Sequence, residues 1–154
     1  MLKIFCTETR NLKQNTIRKI LSLKNTHWKH SMYSQKKFFE KNVCKRDLHV
    51  LLLEKSKLIG YICLRKKKYL YKNKIQKYLH FDTCIIKKSH RKKNYTLTLM
   101  NFTNKIIENS SCISILYCKK DLVTFYKKFN WKVVNKRFAS SIVHLQEKII
   151  MKYN

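Results

Sequence analysis

The chain has 154 residues, the length of one domain, and its 44% apolar and 12% aromatic content excludes a disordered polymer. Its longest apolar runs span about five residues, which excludes a membrane-spanning helix, and Met1-Leu2-Lys3-Ile4-Phe5-Cys6 lacks the features of a secretory signal. The formal charge of +28 invites a nucleic-acid reading, but it comes from 30 Lys and only 6 Arg, whereas base readout and bidentate phosphate contacts favour Arg.

Taken in chain order, residues 2–6 form a short first strand. Thr16–Trp28 reads as a helix, because Ile17, Ile20, Leu21 and Leu23 recur near the helical period, and Ser31–Lys41 as a second, with Met32, Phe38 and Phe39 apolar. His49–Glu54 and Leu58–Leu64 are dense in Val, Leu and Ile and flank Lys55-Ser56-Lys57, an antiparallel hairpin. Lys66–Lys74 reads as the end of that strand plus a basic loop. Tyr78–Ile86 alternates as a strand, with Leu79, Phe81, Thr83 and Ile85 on one face and Tyr78, His80, Asp82, Cys84 and Ile86 on the other. Tyr95–Glu108 is a helix, Cys112–Cys118 a strand, and Asp121–Phe129 a short helix capped by Asp121. Trp131–Phe138 and Ser141–Lys152 close the chain as strands. With no repeat and no Gly/Ser/Pro linker, residues 1–154 form a single domain of α+β class, a mixed sheet flanked by helices.

Composition narrows the chemistry. Ile at 15 and Asn at 12, beside one Gly and no Pro, are typical of A/T-rich codons, so much of the Lys excess reads as solvated surface. That surface still draws the protein toward anions. Cys6, Cys44, Cys63, Cys84, Cys112 and Cys118 show no paired spacing and no Cys-x-x-Cys, which fits reduced, structural thiols in the cytoplasm. The six His are scattered, so no metal site is expected.

Two patterns within Asp82–Trp131 carry chemistry. A strand ending in Cys84-Ile85-Ile86 delivers the basic loop Lys87–Lys93 to a helix N-terminus, where unpaired N–H groups and the helix dipole form a ready site for a phosphate-bearing cofactor. About 35 residues later, Phe125-Tyr126-Lys127-Lys128-Phe129-Asn130-Trp131 places a tyrosine as candidate proton donor. Asp82, one of eight acids, shares a strand with His80, and either could take a proton from an ammonium substrate. Cys84 on that strand reads as a packed thiol rather than a covalent nucleophile.

These patterns and the element order resemble the GCN5-related N-acetyltransferase (GNAT) superfamily. In that family the fourth strand runs into a loop of pattern Arg/Gln-x-x-Gly-x-Gly/Ala, whose amides hold the pyrophosphate of coenzyme A. Here Arg91-Lys92-Lys93-Asn94-Tyr95-Thr96 matches it, with both glycines replaced. The Phe-Tyr-x-x-x-Gly-Phe/Trp element is matched by Phe125–Trp131, with Asn130 for its glycine. Asn tolerates left-handed backbone best among non-glycine residues, so Asn94 and Asn130 are expected to hold the geometry. Thr96 sets a β-branched side chain where the diphosphate should approach.

The resemblance implies acetyl-coenzyme A as cofactor and direct acetyl transfer to a small-molecule or protein amine. Cys84–Ile86 would align the pantetheine arm as an added strand, in a gap between residues 82–87 and 112–118. Tyr126 would protonate the leaving thiolate. Asp82, Asp47 and Glu54 are the acids placed to make an acidic acceptor pocket. A second class stays open, a basic nucleic-acid or ribosome-associated module on a non-catalytic version of the fold, supported by Lys66–Tyr78.

Overall fold

The computed structural model describes residues 1–91, 94–135 and 148–154. Strand β1 (Leu2–Glu8) leads into helices α1 (Gln14–His27) and α2 (Met32–Asn42), then strands β2 (Leu48–Glu54), β3 (Lys57–Tyr71) and β4 (Lys74–Ile86). Helix α3 (Tyr95–Asn109), strand β5 (Ile113–Cys118), helix α4 (Val123–Lys127) and strands β6 (Lys132–Val133) and β7 (Ile149–Tyr153) follow. The seven strands form one sheet in the order β1-β2-β3-β4-β5-β7-β6, antiparallel throughout except for the β4–β5 pair. The α+β class and the mostly antiparallel sheet agree with the sequence. The expected closing strands at Trp131–Phe138 and Ser141–Lys152 lie partly outside the described residues.

Helices cover both faces. On one, α3 sets Leu99, Met100 and Ile107 against Val50, Leu52, Ile62, Leu64, Leu79 and Phe81, α4 adds Phe125 and Tyr126, and the turn after it adds Phe129. On the other, α1 sets Ile20 and Leu23 against Leu51, Tyr61, Cys63 and Ile85. Ser31 caps α2, its Oγ accepting from the Ser34 N–H at 3.1 Å. Asp121 does not cap α4: it lies inside a 3-10 turn, Lys120–Leu122, and α4 has no side-chain cap. The single glycine, Gly60, sits where a Cβ would meet Ile86 Cδ1 at 2.6 Å and Leu52 Cβ at 3.2 Å, so β3 there closes tightly on the end of β4.

Two departures from the sequence reading shape the site. First, the β3–β4 register slips by one: Cys63 pairs with Thr83, but Leu64 pairs with Phe81, leaving Asp82 as the extra residue of a β-bulge. The bulge turns the strand over. Leu79, Phe81, Cys84 and Ile86 share the α3 face, while Ile85 joins the α1 face, so the strict alternation expected through Tyr78–Ile86 breaks at Asp82. Second, Lys66–Lys74 is not a loop. Both strands run on as a two-stranded arm to a turn at Lys72-Asn73, whose φ values of 48° and 59° match the primed turns that suit the twist of hairpins.

Candidate active site

β4 and β5 pair over only three positions, Tyr78↔Ile113, Leu79↔Ser114 and His80↔Ile115. Past His80 they part, while β5 stays paired through Cys118 with β7 on its other edge. On its β3 side, β4 remains paired to Ile86. The β5-facing backbone of Phe81–Ile86, including Cys84, Ile85 and Ile86, is therefore an open edge inside the sheet among the described residues. Such an edge is a template for an extended ligand. The gap lies where the sequence put it at the β4 side, but its β5 wall is Leu116–Cys118, since Ile113–Ile115 are paired.

At the C-terminal end of β4 the chain is pinned by Lys87, whose N–H donates to Ile59 O at 2.7 Å, and then turns through a 3-10 segment, Lys88–His90. Arg91 folds back, its Nε donating to Ile86 O at 3.2 Å and its Nη2 reaching His27 Nδ1 at 3.0 Å. Lys92 and Lys93 lie outside the described residues. Helix α3 then starts at Tyr95 with no acidic residue in its first turn and no side-chain cap, so its leading N–H groups have no acceptor within the helix. Asn94 has φ −63°, so the left-handed backbone expected there is absent. The chain enters α3 without the reversal a loop glycine would supply, and Asn94 needs no special conformational tolerance. One carboxylate reaches this basic loop from the end of β2: Glu54 accepts from the Tyr95 hydroxyl and lies 3.2 Å from His90 Nε2.

The Phe125–Trp131 element is built as expected. Asn130 has φ 65°, and the Trp131 and Asn130 N–H groups donate to Tyr126 O (3.3 Å) and Lys127 O (3.0 Å), the paired bonds of a Schellman ending. Asn104 of α3 donates Nδ2 to Phe129 O at 3.0 Å and ties the turn down. This ending swings Trp131 into the core, 1% exposed, where its ring meets Phe81 at 5.2 Å and Tyr126 at 6.2 Å. Tyr126 is thereby held edge-on to Phe81 at 6.0 Å. Burial raises its pKa, with smaller contributions from the thiols of Cys84 and Cys118, one on each strand that bounds the gap. No hydrogen bond engages its hydroxyl among the described residues. Cys84 is a packed thiol beside Met100 Sδ at 3.9 Å, pushed up to about 12 by burial, and is unfit as a nucleophile.

Asp82 and His80 face the opposite side of the sheet from Tyr126. Asp82 Oδ1 lies 3.4 Å from Arg65 Nη2 and 3.6 Å from His80 Nε2. Burial pushes the Asp82 carboxyl up, but the His80 hydrogen bond and the charges of Arg65 and Lys24 outweigh it and hold the group below the usual carboxylate range. The His80 ring meets that of Tyr117 at a tilt of 40°, their centres 4.9 Å apart. Asp82 and Thr83 open into a cavity of about 730 Å³ whose walls include Lys24, Trp28, Phe38, Tyr117 and Cys118. Asp47 and Glu54 do not contribute to an acidic pocket. Asp47 is 1% exposed, accepting from the N–H groups of Cys44 and Lys66, each at 2.7 Å, and Glu54, at the end of β2, contacts His90 and Tyr95 beyond β4 instead.

The structure thus brings Cys84 and Tyr126 together on one side of the gap and His80 and Asp82 on the other. Arg91, Asn94, Tyr95 and Thr96 stand at the end of β4. Arg65 and Lys24 are additions. Arg65 pairs with His80 in the hairpin register, so recognising the Lys72-Asn73 turn would have found it. Lys24 follows Ile20 and Leu21 by four and three residues, which puts it on the buried stripe of α1.

At the level of sequence, no protein-family model and no curated protein matches the chain. Its fold is that of the GNAT acetyltransferases. It is similar to an acyl-CoA N-acyltransferase from Pseudomonas aeruginosa, at 13% identity and TM-score 0.76 over 100% of both chains. It is similar also to Tetrahymena GCN5, at 16% identity and TM-score 0.70 over 99% of this chain and 94% of that one. A third likeness is to the PaiA N-acetyltransferase of Thermoplasma acidophilum in complex with coenzyme A, at 17% identity and TM-score 0.61 over 97% and 98%.

Proposed function

We propose that the chain is an N-acetyltransferase that moves an acetyl group from acetyl-coenzyme A directly to an amine. The observation that carries this reading is the parting of β4 from β5 after His80, with a phenol on one side of the gap and an imidazole–carboxylate pair on the other. The residues present fit the cofactor. The uncapped start of α3 (Tyr95, Thr96), Asn94 and the cations Arg91, Lys92 and Lys93 would hold its pyrophosphate, and the open edge at Cys84–Ile86 its pantetheine arm.

Bound there, acetyl-coenzyme A supplies an activated acetyl thioester. The work left to the chain is positioning and two proton transfers. On the side of Asp82, that carboxylate or His80 beside it would take the one proton that an ammonium must lose before it can attack, directly or through water. On the helix side, Tyr126 would hold a hydroxyl proton to give to the leaving thiolate. The packed, buried thiol of Cys84 supports direct transfer over an acyl-enzyme on that residue. Six free cysteines suit a reducing compartment, in line with a cytoplasmic protein, and among the described residues no helix is long and apolar enough to cross a membrane.

The test is release of free thiol from acetyl-coenzyme A in the presence of a panel of primary amines. We expect amine-dependent release with at least one class of acceptor, and no release with any amine would contradict the reading. The arm favours a second reading, nucleic-acid binding. Between Lys66 and Lys77 it carries six lysines and no acid, with Leu70 and Ile75 60% and 70% exposed near its tip. Oligonucleotide affinity that collapses between 50 and 200 mM salt, with no thiol release, would be its signature, given on the order of 10³-fold losses for six phosphate contacts.

A further inference from the structure

Among the described lysines, Lys24 is unusual in being buried, 8% exposed, in the wall of the cavity that Asp82 and Thr83 open into. No carboxylate of the described residues forms an ion pair with it: Asp82 acts on it only at longer range and is itself engaged by Arg65 and His80. Its ammonium rests 5.1 Å from the centre of the Phe38 ring. A buried ammonium without a contact counter-ion is costly, and burial lowers the pKa of Lys24 accordingly. The rest of the cavity adds to the imbalance, since Lys119 and Lys148 stand in its wall against Asp121. The cavity thus combines at one point the Asp82 carboxylate, whose Oδ1 lies 3.6 Å from His80 Nε2, with surplus positive charge at another.

We propose that the acceptor is an amine that also carries an anionic group, a carboxylate or a phosphate, and that Lys24 binds that anion while the amine turns toward His80 and Asp82. The proposal rests on the acetyl-transfer reading only in naming the cavity as the acceptor side. The anion supplies the counter-charge that Lys24 lacks, and a charge-assisted hydrogen bond formed away from bulk water is the stronger kind. A plain polyamine would place a second cation against Lys24, and the cavity selects against it.

Matched acceptors test this: L-lysine against 1,5-diaminopentane for the carboxylate, and phosphoethanolamine against ethanolamine for the phosphate. The anionic member of at least one pair should show kcat/KM about 10- to 100-fold higher, the worth of one charge-assisted hydrogen bond. In Lys24→Met, whose chain still packs on Phe38, that ratio should fall to about one through KM, with kcat kept. Calorimetry with L-lysine and phosphoethanolamine, without coenzyme A, reads the anion site independently of turnover. Binding that Lys24→Met weakens at least tenfold, in a protein that transfers no acetyl group, would uphold the anion site and overturn only the acetyl-transfer reading. Equal kcat/KM within both pairs in the wild-type protein would overturn the proposal whatever the stability of the variant. So would an anion preference that survives in Lys24→Met, which would make Lys24 a packing residue.

Discussion

Tyr126→Phe should lower turnover about 100-fold while leaving affinity for acetyl-coenzyme A nearly unchanged, the lower range for loss of a general acid. The substitution removes one oxygen and keeps the ring that meets Phe81, Phe125 and Trp131. Because that oxygen has no hydrogen-bond partner among the described residues, stability should change by less than about 1 kcal/mol, the net worth of one hydrogen bond. Burial raises the Tyr126 pKa, so the phenol stays protonated through the neutral range and has its proton to give. Steady-state kinetics beside a thermal melt separate the two effects. Wild-type turnover in the variant would make Tyr126 a packing residue and assign protonation of the thiolate to water or another group.

Acidification from pH 7 to pH 4 should destabilise the protein by about 3 kcal/mol through His49 alone, taking 1.36 kcal/mol for each pKa unit. His49 is 0% exposed on β2, with Nδ1 2.7 Å from the Tyr61 hydroxyl and Nε2 2.7 Å from the Thr9 hydroxyl. Burial, with the charge of Lys24 adding to it, lowers its pKa to about 4 from an ordinary 6.5. Between those values the unfolded chain binds the proton and the folded one does not. Stability is therefore complete above about pH 6.5 and lost as pH falls toward 4. Asp82, held below the usual range, contributes stability that is lost only below its ordinary value of 3.8, outside this window. Urea unfolding at half-unit pH steps should show the slope in the wild type and a flatter one in His49→Gln. An equal slope in both would assign the acid sensitivity elsewhere.

Much of this architecture is written in local patterns. The Val/Leu/Ile-dense runs around Lys55-Ser56 give the β2–β3 hairpin, and the Phe125–Trp131 element fixes its own Schellman ending because Asn130 tolerates positive φ. The bulge at Asp82 is not legible that way. β4 is buried on both faces there, with Thr83 and Ile85 covered as fully as Phe81 and Ile86, so a period-two pattern carries no mark where a residue is inserted. The arm escaped because Lys72-Asn73 makes its turn without glycine, and with the arm went the pairing of Arg65 beside His80. Asn94 shows the opposite failure. A motif position was read as a backbone requirement, and the chain meets α3 with ordinary φ instead.

Titration of acetyl-coenzyme A into the protein by calorimetry, paired with melting curves at rising ligand, tests the central claim most directly. A ligand that binds only the folded state raises the melting temperature by mass action. The account predicts saturable one-site binding that persists at 200 mM salt and a melting temperature that climbs with ligand concentration. Absence of both heat and shift at millimolar ligand would contradict it, leaving the acetyltransferase fold without the cofactor its open strand edge and uncapped helix are proposed to hold.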